Sequence, residues 1–163
     1  MWTRFVLLVS FALLTNTASA HGKHTHGEGL LDLLIEKNKI TLALTLPLEV
    51  AVGFEHKPRN EKEKMAVLAI EKQLNAAATL WLFTPNAQCH SDSTQVDMPT
   101  FKDQHPDITA TYVFRCQLPE GLKGIETTLF KHFKRLYRIE VQRAGPKNQG
   151  AARLSPKNPI VTW

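Results

Sequence analysis

Cysteine is scarce in this chain, with Cys89 and Cys116 the only two in 163 residues, and beyond residue 20 the only serines are Ser91, Ser93 and Ser155. The two cysteines are 27 positions apart, which is not the C-x-x-C spacing of a dithiol redox centre or a zinc ribbon. No G-x-S-x-G elbow, P-loop, dinucleotide fingerprint or H-E-x-x-H pair occurs, and no serine stands where a base would activate it. The serine hydrolase, nucleotide-binding and zincin classes therefore lack their machinery here, and the chain reads as a non-enzyme. Basic excess is slight: Lys plus Arg number 20 against 15 Asp plus Glu, for a net charge of +5. The lysines are scattered, whereas nucleic-acid binders concentrate them on one face, so no nucleic-acid partner is expected.

Long apolar runs are also lacking, except at the start. Arg4 is followed by an almost unbroken apolar run from Phe5 to Leu14, interrupted at Ser10, and Ala18, Ser19 and Ala20 form an A-x-A site. This order is that of a secretory signal peptide. The run is short of the roughly 20 residues that cross a bilayer, and a lipoprotein signal would need a cysteine at the cut. The expectation is a cleaved leader at 1–20 and a single domain at 21–163, exported to the periplasm of a Gram-negative envelope with no membrane span after cleavage. In that oxidising space Cys89 and Cys116 are expected to pair as a structural disulfide.

Leu31, Leu33 and Ile35, then Ile40, Leu42, Leu44 and Leu46, alternate with polar residues around the turn Glu36 to Lys39, the pattern of a half-buried β-hairpin that Pro47 ends. Asn60 with Glu63 three positions on marks a helix start, and Val67, Ile70, Leu74, Ala77 and Trp81 then recur at three- and four-residue steps. Short strands are expected at 93–98, 108–116, 125–128, 138–142, 151–154 and 160–162, with a helical turn at 129–133. In the second of these strands Ile108, Ala110, Tyr112, Phe114 and Cys116 share a face. The fold class read from this is α+β: mainly antiparallel β-sheet with one long packed α-helix, a single domain with one disulfide.

Histidine carries the chemistry. The expected mature chain opens with a polar arm, 21–29, holding His21, His24 and His26. Imidazole is a borderline donor suited to zinc, copper and nickel, and in an extended segment His24 and His26 project to the same side. The plainer reading is three polar residues in an unstructured arm. Cleavage would also free the α-amine of His21, which with its ring could chelate Cu(II). Glu55 and His56 lie in a loop between the hairpin and the helix, where sites commonly sit. Being adjacent, they point apart in regular backbone, so His56 joins a site only if the arm folds back to it; otherwise it bonds a backbone carbonyl. His105, between Asp103 and Asp107, could hold a weak metal, but a solvated loop is the favoured reading there. His90 and His132 read as surface or boundary residues.

These residues bring a resemblance into view. The H-x-H-G opening at His24 to Gly27, the segment Gly53 to Pro58, the two spaced cysteines, the run Phe114 to Cys116 with Pro119 after it, and the closing Leu154 to Pro159 resemble a proteobacterial envelope family, the ZrgA-like periplasmic zinc-binding proteins. The resemblance covers nearly all of the chain after residue 20. It implies zinc binding connected with uptake, placed on His24, His26 and His56 with Glu55 beside them. It also implies a long histidine- and acid-rich insertion between the cysteines; this chain departs there, with only 101–107 and the single His105.

The leading expectation is thus a periplasmic protein that buffers or delivers zinc for an envelope transport protein. Copper is allowed by the donors alone, and zinc is what the resemblance implies. The alternatives are a metal-independent envelope scaffold or assembly protein, and, further off, a metal-dependent enzyme.

Overall fold

Alternation of apolar and polar residues builds most of the molecule. In the computed structural model, which describes residues 26–102, 106–146 and 148–163, strand β1 (Glu28–Glu36) turns directly into β2 (Lys39–Pro47). Leu31 and Leu33 on β1 and Ile40, Leu42, Leu44 and Leu46 on β2 are buried, while the residues between them face outward. β4 (Cys89–Asp97) and β5 (Asp107–Cys116) form a second antiparallel pair joined to β2. Its inward row is Ile108, Ala110, Tyr112, Phe114 and Cys116, all buried.

β7 (Arg138–Ala144) lies parallel to β1 and carries β8 (Gln149–Leu154) antiparallel on its other side. The result is a six-stranded sheet in the order β4-β5-β2-β1-β7-β8. A second sheet of three strands, β3 (Trp81–Phe83), β6 (Gly124–Thr127) and β9 (Ile160–Thr162), packs on its inner face. The seam between them is aromatic: the Phe83 and Phe114 rings lie 4.5 Å apart, and Trp81 meets Tyr112 edge-on at 5.7 Å. Buried Leu129, Phe130 and Phe133 in and after the short helix α4 (Leu129–His132) fill the same layer. Cys89 and Cys116 stand directly opposite each other on β4 and β5 and are joined as a disulfide.

Two expectations need correction. The helical pattern read through Trp81 stops at Leu74: α2 spans Glu61–Leu74, a separate turn α3 follows at Ala77–Leu80, and Trp81 begins a strand. Asn75 ends α2 by donating its side-chain amide to the Glu71 carbonyl at 2.8 Å, a bond that caps the last turn locally. Nor is α2 a packed core helix. Leu74 is its only buried residue, and Met65 and Leu68 are exposed on its outer side. Among the described residues no helix is long and apolar enough to cross a membrane.

Candidate metal centre

At the end of the large sheet where β1 begins, three pieces of chain meet. Helix α1 (Leu48–Val52) forms because Pro47 cannot continue the ladder and the next apolar residues, Leu48 and Val50, sink into the core in a single helical turn. Glu49, between them, is left at the surface. Gly53, in the left-handed region at φ 87°, closes the turn by donating its N–H to the Glu49 carbonyl at 2.8 Å. The chain then doubles back, bringing Glu55 beside Glu49.

The entering segment supplies the third group. Gly27, also left-handed at φ 79°, accepts the Tyr137 N–H on its carbonyl at 3.0 Å. Glu28 accepts from the Tyr137 hydroxyl at 2.9 Å and pairs with Arg138. So anchored, His26 places Nδ1 2.8 Å from Glu49 Oε2 and 3.8 Å from Glu55 Oε1. One donor atom from each of His26, Glu49 and Glu55 lies within 4.8 Å of the other two, and among the described residues this is the one such group of metal-ligating type.

The electrostatics follow from the geometry. The hydrogen bond to Glu49 and its negative charge, with a smaller contribution from Glu55, raise the His26 pKa above its ordinary value. The ring is open to solvent, its side chain 70% exposed, while the two carboxylates are partly covered at 30% and 29%. Chemically this is one nitrogen and two carboxylate oxygens on an accessible surface. That donor set suits zinc, which accepts imidazole and carboxylate together and leaves further positions for water or another ligand.

His56 has other partners. Its Nδ1 is 3.0 Å from the Lys57 carbonyl, which accepts, its ring stacks on Phe54 at 4.9 Å, and the Glu63 carboxylate is 3.8 Å away. It belongs to the start of α2, where Asn60 accepts the Glu63 N–H at 2.9 Å and Glu63 accepts the Arg59 N–H at 2.7 Å. The structure therefore brings Glu55 to His26 and turns His56 toward the helix cap. His21, His24 and His105 lie outside the described residues. Glu49 escaped the sequence reading because an acid between Leu48 and Val50 looks like surface on a buried turn. The usable signal was the pair of acids six positions apart around Gly53.

These features define a two-sheet, disulfide-bonded domain with an exposed histidine–carboxylate cluster at one end. Residues 23–163 match the family described as ZrgA family zinc uptake protein, and the chain belongs to that family. A zinc-related role follows from the family's description. A comparison with the curated proteins finds no match.

Proposed function

We propose that this chain is exported to the periplasm after loss of residues 1–20 and there captures zinc as cargo, buffering it or passing it to an envelope uptake system. The observation that carries the reading is the convergence of His26, Glu49 and Glu55 at an open surface. In this reading His26, Glu49 and Glu55 hold the ion, and His24 and His21, next along the arm, supply further imidazoles. His56 holds the loop rather than the metal. A cluster that is solvent-facing, with three donors among the described residues, suits a protein that must release its ion.

A second reading has one observation in its favour: the His26–Glu49 bond at 2.8 Å is a satisfied contact by itself and could simply pin the chain start to the loop of a metal-independent scaffold. The two readings separate in a calorimetric zinc titration of the exported protein with a chelator as competitor. Stoichiometric binding that weakens at least about tenfold in both His26→Ala and Glu49→Gln supports zinc capture. Binding no tighter than about 0.1 mM, near 5.5 kcal/mol, overturns it and leaves the scaffold.

A further inference from the structure

At the other end of the large sheet the inward-facing rows stop being apolar. On β7 the side chains of Ile139 and Val141 are buried, and the next residue on the same face is Arg143. On β1 the row Leu31, Leu33 ends in the partly exposed Ile35. On β9 the buried Val161 is followed, two positions on, by Trp163, which is 39% exposed. Where these three rows end, the core opens into a cavity of about 460 Å3, which Lys37 at the hairpin turn and Lys123 ahead of β6 also line. β1 at about 3.3 Å per residue separates this cavity from the His26 cluster by most of the length of the sheet.

Arg143 is the telling group. Arg143 is only partly buried, and its hydrogen-bonded and ring partners here carry no opposite charge. Nη1 donates to Asn148 Oδ1 at 2.6 Å, and the guanidinium carbon lies 5.7 Å from the centroid of the Trp163 ring. Lys123 donates to the Glu120 carbonyl at 2.9 Å, again a neutral acceptor. Among the described residues no ion pair engages Lys37, Lys123 or Arg143. Glu120 is the one acidic side chain on the lining, against three cationic side chains. Ile35 and the Trp163 ring give the same cavity an apolar wall.

We propose that this cavity is a binding site for a carboxylate attached to a flat or apolar body, the carboxylate taken by Arg143, Lys37 and Lys123 and the body laid against Trp163. Guanidinium matches carboxylate geometry, and an apolar wall beside fixed polar groups is the usual make-up of a small-ligand pocket. A free aromatic acid and the C-terminal carboxylate of a partner polypeptide share this chemistry. Neither involves the zinc cluster, so the site stands or falls apart from it.

The test follows the indole N–H signal of Trp163 by NMR in the exported protein, with a chelator present and buried Trp81 as the internal control. The probes are benzoate, its methyl ester, sulfate at matched ionic strength, and an acetylated Ala-Ala-Phe peptide with a free or an amidated end. Expected is a saturable Trp163 shift with benzoate or the free-ended peptide, none with the ester, the amide or sulfate, and binding weakened at least about fivefold in Lys37→Gln and Arg143→Gln. The tighter of the two acids identifies the source. Lys37 lies on an exposed turn, so its variant tests the site even where Arg143→Gln disturbs the β7–β8 turn. An equal shift with sulfate, no saturation by about 10 mM of either acid, or unchanged binding in Lys37→Gln overturns the proposal.

Discussion

Gly27 and Tyr137 are packed so closely that a methyl group on the glycine would come 2.4 Å from Tyr137 Cε1. No rotamer of the substituted residue relieves this, since the strain is in the position of Cβ itself, and φ at Gly27 is 79°. Gly27→Ala is therefore expected to destabilise the fold by about 1–2 kcal/mol from the left-handed backbone, with the displaced ring adding to it. It should also loosen His26, one residue away, from Glu49. Urea unfolding and a zinc titration on the same sample check both effects.

The raised His26 pKa gives a pH dependence with a definite sign. Because Glu49 stabilises the charged ring, the ion pair's contribution to stability is fully present below the ordinary histidine value of 6.5 and is lost as pH rises through the higher folded value. Zinc needs the neutral ring, so apparent zinc affinity should climb as pH rises through that same value. NMR titration of the metal-free protein should find the His26 pKa above 6.5 and returned toward it in Glu49→Gln.

Removing the disulfide should leave the fold recognisable and weaken it. Cys89 and Cys116 enclose a separation of 27 residues, for which the loop-closure argument gives about 3–4 kcal/mol. The Cys89→Ser, Cys116→Ser double variant, compared with the native protein by urea denaturation, reads this directly.

Helix α2 offers a contrast between two leucines. Leu74 is fully buried and Leu68 is 55% exposed. Leu74→Ala is expected to cost about 2–4 kcal/mol, whereas Leu68→Ala should stay within about 0.5 kcal/mol of the native protein. Equal losses at both sites would show that the outer side of α2 is packed in solution.

His56→Ala separates the helix cap from the metal site. With its Nδ1 bonded to the Lys57 carbonyl and Glu63 close by, His56 should matter to the stability of the loop and of α2. Zinc affinity should remain within about threefold of native if His26, Glu49 and Glu55 are the ligands. A tenfold loss would return His56 to the ligand set.

The hairpin was legible because Leu31, Leu33, Ile40, Leu42, Leu44 and Leu46 alternate strictly and have a polar turn between them. The inward row of β5 could be read for the same reason. The parallel pairing of β1 with β7 could not, since strands this distant in sequence leave no turn between them to mark the partnership. Trp81 was misplaced because an apolar residue seven beyond Leu74 fits a helix and a buried strand equally well; α2 ends at Leu74, with Asn75 bonded back to the Glu71 carbonyl. At the candidate site His26 and Glu55 carry their chemistry in their residue types, while Glu49 acquires its place only when Gly53 reverses the chain.

The β1–β7 ladder also fixes when the candidate metal centre can exist. Glu28 is in register with Arg138, and Gly27 accepts its hydrogen bond from Tyr137, so the anchor of His26 is supplied by residues about 110 positions further on. A chain delivered amino end first offers its histidines long before that strand arrives, and closing so large a loop is slow compared with forming the hairpin. Assembly of the His26 cluster is thus expected to follow the pairing of β1 with β7, and a well-formed cluster reports that these two distant segments have met.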